Sequence, residues 1–144
     1  MIRKLAHLCL ITNNLERLLD FYHRQIGLPV RFPFRNSEGQ IFGYYLDCGE
    51  MSFIEIFDQT LKCKQWGGSP VPLQPSTQVN HLCLEVIGHK EFCATLESRG
   101  VKIHNVKKGM DNSLQAWTHD PDGNLIEFME YTNQSWQLRG NEPK

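Results

Sequence analysis

Two segments of the chain have apolar residues at helical spacing. Short segments of alternating apolar and polar residues, typical of β-strands, precede and follow each of them. In the first half, residues 5–12 predict a strand, and Asn13 is expected to cap the next helix with Glu16 at the capping-box position. Gly27 is expected to end this helix. Its apolar positions are Leu15, Leu18, Leu19, Tyr22 and Ile26, and further strands are predicted at 30–34, 42–48 and 52–57.

The second half repeats this order of elements. A strand is predicted at 79–86, and Gly100 is expected to end a shorter helix whose buried side carries Phe92, Cys93 and Leu96. Strands at 102–107, 114–119 and 125–130 follow, and turn-forming residues lie at 36–39, 48–50 and 120–124. Each half is therefore predicted to be a βαβββ module, at about 4–57 and 79–131, within one α+β domain, 1–144.

Two segments have no regular spacing of apolar residues. Residues 58–78 contain Gly67, Gly68 and several prolines, so we expect a linker between the modules. Residues 132–144 are polar and are expected to form a frayed tail, with Trp136 as the residue able to hold part of it.

Composition narrows the possible functions. A chain of 144 residues with 40% hydrophobic residues can bury one core, and a formal net charge of -1 argues against a nucleic-acid partner. No apolar run approaches the roughly 20 residues needed to cross a bilayer, so we expect a cytoplasmic protein without membrane contact. The five cysteines have no Cys-x-x-Cys spacing and are interpreted as reduced thiols.

A repeated tetrapeptide carries the candidate chemistry. His-Leu-Cys-Leu occurs at 7–10 and again at 81–84, and Ile-Glu follows within an apolar run 46 to 48 residues after each histidine. His7 thus corresponds to His81, and Glu55 to Glu127. Two imidazoles and two carboxylates at equivalent positions of a repeat are the ligand types of a divalent-metal site.

Strand geometry makes this set coherent. Because alternate side chains of a strand share a face, each of four strands can offer one ligand while its large apolar neighbours pack on the other side. The two carboxylates balance the charge of a dication. Four ligands leave two positions of an octahedron for water or for two adjacent substrate oxygens.

The same alternation predicts the wall of a substrate pocket. Aligning the two glutamates places Gly43, Tyr45 and Asp47 opposite Gln115, Trp117 and His119. The candidate pocket residues are Tyr45, Phe53, Gln115, Trp117 and His119. Ordinary core packing is the alternative for Phe53, and a surface position beside a turn is the alternative for His119. Cys9 and Cys83 share the face of the histidines and are expected to pack beside the site rather than bind metal.

These features together resemble the vicinal oxygen chelate superfamily, which includes glyoxalases, extradiol dioxygenases and methylmalonyl-CoA epimerases. The resemblance covers about residues 4–131 and rests on the two strand histidines, on Leu19-Asp20-Phe21-Tyr22 before Ile26-Gly27-Leu28, and on the segment 120–127. It implies a curved, mostly antiparallel sheet around a metal-binding cavity. It also implies the ligands His7, Glu55, His81 and Glu127, one divalent ion (Ni, Co, Mn, Fe or Zn) and a homodimer.

The resemblance implies a reaction as well. Glyoxalases use a metal-ligating glutamate as the base, and by position this role falls to Glu127, with Glu55 as the second choice. A dication bound by two adjacent substrate oxygens stabilises the negative charge that develops when a neighbouring carbon loses a proton. We therefore expect a glyoxalase-like lyase or isomerase that acts on a small molecule.

Two positions depart from the glutathione-using members. Ile11 stands where those proteins carry an arginine, and Gln59 stands where they carry an asparagine, so we expect a substrate other than a glutathione adduct. The alternatives are an extradiol-type dioxygenase, which the second carboxylate at Glu55 disfavours, an epimerase, which carries glutamine at that position, and a non-catalytic antibiotic-binding protein.

Overall fold

The computed structural model describes residues 1–75 and 78–140. The chain divides into two compact units, Met1–Pro75 and Ser76–Lys144, and each unit contains one four-stranded sheet. The predicted α+β fold built from two tandem modules is therefore confirmed.

The first unit follows the predicted βαβββ order and adds a helix at its end. Its elements are β1 (His7–Thr12), α1 (Leu15–Leu19) with a π-helical continuation (Asp20–Ile26), β2 (Val30–Arg35), β3 (Ile41–Asp47), β4 (Phe53–Asp58) and α2 (Gln59–Trp66). The strand order in the sheet is β1-β4-β3-β2, in which β1 and β4 are parallel and the other pairs antiparallel. The first and last strands of the module are therefore neighbours.

The second unit repeats this topology. Its elements are β5 (Leu82–Glu85), α3 (His89–Ser98), β6 (His104–Lys108), β7 (Leu114–His119), β8 (Leu125–Glu130) and a short helix α4 (Trp136–Arg139). The strand order is β5-β8-β7-β6, and β5 is parallel to β8. No helix in the described part of the chain is long and apolar enough to cross a bilayer.

Each sheet buries one face and leaves the other for chemistry. In the first unit Leu18, Leu46 and Ile56 are fully buried, while Tyr45 and Glu55 alternate with the last two along their strands. In the second unit the fully buried residues include Leu96, Ala116, Ile126 and Phe128. The two predicted carboxylates therefore lie on the sheet face opposite the hydrophobic core.

The start of the first helix corrects the sequence prediction by one residue. The cap is Asn14, not Asn13, because the Asn14 Oδ1 atom accepts a hydrogen bond from the Arg17 amide at 3.0 Å. The Asn13 Oδ1 atom instead accepts from the Gln59 Nε2 atom at 3.0 Å. Glu16 therefore does not hold the capping-box position. The predicted end at Gly27 is confirmed, since Gly27 adopts φ 99° and its amide bonds to the Tyr22 carbonyl.

The segment 58–78, predicted to be an unstructured linker, begins with helix α2. The Asp58 Oδ1 atom accepts a hydrogen bond from the Leu61 amide at 2.8 Å and caps this helix. Regular structure ends after Trp66, and residues 76 and 77 lie outside the described part of the chain. The linker prediction was wrong for the residues of α2.

The predicted frayed tail is held in place up to residue 140. The buried Ser135 hydroxyl accepts from the Thr132 amide at 2.9 Å, and the Trp136 amide donates to the Asp111 carbonyl at 2.9 Å. Trp136 thus holds the segment as expected, through its backbone. Residues 141–144, the rest of the predicted tail, lie outside the described residues.

Strand β5 is shorter than the predicted strand at 79–86. Pairing with β8 begins at Leu82, opposite Ile126, so His81 lies immediately before the first paired residue. The other predicted strands agree with the structure to within two residues at each end.

Candidate functional site

In the first unit the parallel strands β1 and β4 bring the predicted ligands His7 and Glu55 together. Cys9 is the direct partner of Glu55 in the sheet register, and His7 is the partner of Phe53, so all four side chains share one face. The His7 Nε2 atom lies 3.5 Å from the Glu55 Oε2 atom.

The other nitrogen of His7 is engaged by Tyr45. The Tyr45 hydroxyl lies 3.1 Å from the His7 Nδ1 atom, and Tyr45 lies directly opposite Glu55 on the neighbouring strand β3. Burial and the nearby Glu55 carboxylate raise the pKa of the Tyr45 phenol, so the hydroxyl stays protonated. Tyr45 therefore fixes the ring of His7 with its Nε2 atom toward the carboxylate.

The second unit repeats this arrangement with different partners. The His81 Nε2 atom lies 3.2 Å from the Glu127 Oε2 atom, and the His81 Nδ1 atom lies 2.9 Å from the Asn80 Oδ1 atom. The Trp117 ring stands edge-on to the imidazole, with ring centroids 4.8 Å apart. Trp117 lies opposite Glu127 in the sheet register, as Tyr45 lies opposite Glu55.

Both imidazoles thus use Nδ1 for a local hydrogen bond and turn Nε2 toward a carboxylate. Histidines that bind metals are commonly held this way by a second partner. For His81, an amide oxygen accepts from the Nδ1–H group, which leaves the lone pair on Nε2. A lone pair that faces a carboxylate oxygen is repelled unless a proton or a metal cation lies between them.

The environment of Glu127 fits a missing positive partner. Its side chain is only 7% exposed, and its Oε1 atom is buried without a hydrogen-bond partner among the described residues. An unpaired buried carboxylate oxygen is costly, and a bound cation would remove that cost. Glu55 is more accessible, at 16% exposure.

Each unit supplies two of the four predicted ligands. Within residues 1–75 and 78–140, no group of three or more His, Cys, Asp or Glu side chains is placed to hold a metal ion. The donor set of the two pairs taken together is two imidazole nitrogens and two carboxylates, which suits a divalent cation.

A cysteine accompanies each carboxylate. Cys9 lies directly opposite Glu55 in the sheet register, Cys83 lies directly opposite Glu127, and each cysteine is partly exposed. Packing around the sulfur and the adjacent carboxylate raise the pKa of Cys9 to about 11 and that of Cys83 to about 12. Of these two causes of the raised pKa, the neighbouring carboxylate is the one that belongs to the candidate site. Both thiols are therefore protonated at neutral pH.

The predicted pocket residues of the first unit lie beside its pair. The Phe53 and Tyr45 rings have centroids 4.8 Å apart, and Phe53 is only half-buried on the face of Glu55. Tyr45 also stacks on Phe32, at 5.0 Å and an interplanar angle of 10°. Phe32 was not among the predicted pocket residues, because it lies on β2, two strands away from Glu55.

The predicted pocket residues of the second unit divide into two groups. Gln115, Trp117 and His119 alternate onto the face of Glu127, and Trp117 contacts His81. His119 is exposed, and its ring stacks on His104 of the edge strand β6 at 5.4 Å. The ring contact of His119 is therefore with His104 of the edge strand.

The orienting roles of two residues, Asn80 and Tyr45, were missed in the sequence. Asn80 directly precedes His81, and an asparagine beside a candidate ligand was a signal available in the sequence. Tyr45 was predicted as pocket wall, but its contact with His7 spans 38 positions along the chain and carries no local signal.

Ile11 and Gln59, the two positions expected to differ from glutathione-using proteins, have defined neighbours in the structure. Ile11 lies on the site face of β1, opposite Phe57 in the register. Gln59 is buried, and its amide donates to Asn13 at 3.0 Å and accepts from the Val71 amide at 2.8 Å. Both ends of the Gln59 amide are therefore occupied by protein groups.

Comparison with known proteins shows which family the chain resembles in sequence and in fold. Lactoylglutathione lyase of Escherichia coli O157:H7 is 26% identical over 131 residues, which cover 88% of this chain and 92% of that protein. A glyoxalase family protein from Enterococcus faecalis has a TM-score of 0.67 at 22% identity, over 89% of this chain and 98% of its own.

An antibiotic binding protein from a Streptomyces species has the same fold, with a TM-score of 0.67 at 20% identity, over 91% of this chain and 98% of its own. The family model of the Glyoxalase/Bleomycin resistance protein/Dioxygenase superfamily matches residues 4–128, which is most of the chain. The chain therefore belongs to the Glyoxalase/Bleomycin resistance protein/Dioxygenase superfamily.

Proposed function

We propose that this protein is a metal-dependent lyase or isomerase of the glyoxalase type. One divalent ion (Ni, Co, Mn, Fe or Zn) is held by four side chains: His7, Glu55, His81 and Glu127. The observation that carries the proposal is the repeated pair, in which an imidazole Nε2 atom faces a carboxylate oxygen at 3.5 Å in one unit and 3.2 Å in the other.

The ion would supply positive charge at two adjacent oxygens of a small substrate, so that a neighbouring carbon becomes acidic. The proton is taken by Glu127, because its Oε1 atom has no hydrogen-bond partner among the described residues and so has a lone pair available to accept it. Glu55, which is more exposed, is the second choice for this role.

Neighbouring side chains keep the carboxylates and imidazoles in position. Tyr45 and Asn80 fix the rings of the two histidines through Nδ1. Cys83 lies directly opposite Glu127 on the neighbouring strand and packs beside its carboxylate on the site face. The Trp117 ring stands edge-on to His81 and packs against that imidazole.

The substrate is a small α-hydroxycarbonyl or 2-oxo compound rather than a glutathione adduct. Ile11 offers no positive charge to a tripeptide carboxylate. The amide of Gln59 is already used by Asn13 and Val71, so it is not free to bind one. Turnover of the methylglyoxal–glutathione hemithioacetal should therefore be orders of magnitude below the diffusional range of about 10⁸ M⁻¹s⁻¹.

Two units are needed for a complete ligand set. Each unit supplies one imidazole and one carboxylate, and the two pairs can come from one chain or from two. We propose a cytoplasmic homodimer. The apparent mass by light scattering tests this, since a monomer that binds one ion per chain would place all four ligands in one chain.

The second candidate is a protein that binds a small molecule without transforming it. The fold shared with an antibiotic binding protein favours it, as do the aromatic side chains around Tyr45. Extradiol dioxygenase and epimerase activities are weaker alternatives, because Glu55 adds a carboxylate that neither requires.

Proton exchange separates a catalyst from a binding protein. Small 2-hydroxycarbonyl compounds are incubated with the protein in deuterated water, and deuterium at the carbon beside the carbonyl is measured by NMR. A catalyst accelerates the exchange, loses the acceleration in EDTA and regains it when a divalent metal is restored. Binding without metal-dependent exchange of any such compound would support the second candidate.

A further inference from the structure

Six aromatic side chains of the first unit form a row in which each ring contacts another. We call it the aromatic shelf, and it consists of Phe32, Phe34, Phe42, Tyr45, Phe57 and Trp66. Neighbouring ring centroids along the shelf lie 4.9 to 5.2 Å apart, within the range of favourable aromatic contacts.

The shelf begins at the candidate site. Tyr45 contacts His7 through its hydroxyl, at 3.1 Å, and stacks in parallel on Phe32. Phe32 continues to Phe34 at 5.1 Å, and Phe34 to Phe57 at 4.9 Å. A molecule bound at the His7–Glu55 pair therefore has an aromatic surface extending away from it.

The far end of the shelf depends on a glycine and on helix α2. A Cβ atom at Gly43 would clash with the Phe57 ring, so the absence of a side chain there lets the ring lie over the strand. Trp66, the last residue of α2, stands edge-on to Phe57 at 5.2 Å and to Phe42 at 5.1 Å.

The two ends of the shelf are open to solvent. Phe32 is 43% exposed and Trp66 is 55% exposed, whereas Phe42 and Phe57 beneath them are buried. An exposed ring beside a candidate catalytic pair, such as Phe32, is typical of a surface that binds an apolar group.

The second unit offers no equivalent surface in its described residues. The corresponding face of its sheet carries Gln115 and His119 beside Trp117. Strand β8 is followed by a loop and the short helix α4, so no helix like α2 starts directly at its end. The two units therefore present different chemistry to a ligand, one aromatic and one polar.

We propose that the aromatic shelf binds a planar aryl group of the substrate, whose oxygen atoms lie at the His7–Glu55 end. The substrate class is then an aryl-substituted 2-hydroxycarbonyl or 2-oxo compound. This inference rests on the proposed function for the position of the oxygens. The geometry of Phe32 and Trp66 carries the choice of an aryl group, because both expose ring surface to a flat partner.

Two acids that carry the same carboxylate and 2-hydroxyl groups test whether the shelf binds an aryl group. Mandelate carries a phenyl group where lactate carries a methyl group, and calorimetry measures the Kd of each for the metal-loaded protein. Mandelate should bind at least roughly tenfold more tightly, since it buries a ring on the shelf. Phe32→Leu and Trp66→Leu should each weaken mandelate roughly 2- to 12-fold, and weaken lactate less. The matched control is Leu138→Ala, an exposed apolar residue of the second unit, which should change neither Kd.

Each failure has a distinct meaning. Equal affinity for both acids, no detectable binding of either, or discrimination that survives both leucine variants would overturn the shelf. Metal content of the same samples is measured separately, and a protein that binds no metal would overturn the proposed function instead. If the leucine variants change the mass in light scattering, the shelf is a contact between two copies of the chain and the proposal is wrong.

Discussion

The His81 Nε2 atom lies 3.2 Å from the Oε2 atom of the buried Glu127 carboxylate. His7 and Glu55 hold the same relationship at 3.5 Å in the other unit. A repeat that preserves a contact between two side chains, as well as their positions in the sequence, supports a shared chemical role for those side chains.

Glu127 is the side chain whose replacement should cost the most activity. Glu127→Gln keeps an oxygen near the metal but cannot accept a proton, so deuterium exchange should fall roughly 10²- to 10⁴-fold. Glu55→Gln is the matched variant in the other unit, and it should cost less in rate and chiefly weaken metal binding. Exchange rates and metal content are measured together. Equal losses, or a larger loss in Glu55→Gln, would give the role of base to Glu55 or to both.

Tyr45 should matter for metal affinity through its hydroxyl alone. Tyr45→Phe keeps the ring but removes the contact with His7 Nδ1, and loss of such a partner typically weakens metal binding about 10- to 100-fold. Tyr44→Phe is the control, because Tyr44 alternates onto the opposite face of β3. Competition with a chelating dye gives both affinities. Unchanged affinity in Tyr45→Phe would show that the hydroxyl does not orient the imidazole.

The thiols beside the carboxylates should react slowly at moderate pH. The pKa values of Cys9 and Cys83 are raised to about 11 and about 12, so the folded state keeps protons that an unfolded chain, near 8.5, has lost. Alkylation of EDTA-treated protein by iodoacetamide, followed by mass spectrometry, should therefore keep accelerating from pH 9 to about 11. The same cysteines in urea should level off near pH 9. A folded-state rate that levels off there would contradict the raised values.

The sheet and the pairing of the candidate ligands were accessible from the sequence because both follow from periodicity. Alternation defined the strands, and the repeat aligned His7 with His81 and Glu55 with Glu127 before any contact was known. The parallel register of β1 with β4, and of β5 with β8, then placed each histidine beside its carboxylate. The strands follow from the local alternation of apolar and polar residues, and the pairing of each histidine with its carboxylate follows from the topology that both units share.

The features that were missed depend on contacts between distant residues. The sequence of helix α2 has no apolar stripe and precedes two glycines, so it looks like that of a loop. In the structure, the Asp58 cap and the hydrogen bonds of the buried Gln59 amide stabilise the helix. Asn13 and Asn14 are equally good caps in isolation, and the bond from Gln59 to Asn13 decides between them. The order of residues 132–140 likewise depends on the backbone of Asp111 and Asn112.

Metal stoichiometry in histidine variants tests the central claim most directly. Plasma mass spectrometry of the purified protein should give one divalent ion for each set of four ligands. His7→Ala and His81→Ala should each remove most of it, since three ligands would remain and one carboxylate would lose its compensating partner. His104→Ala, on the edge strand β6, should retain the full amount. Full stoichiometry in both His7→Ala and His81→Ala would contradict the account.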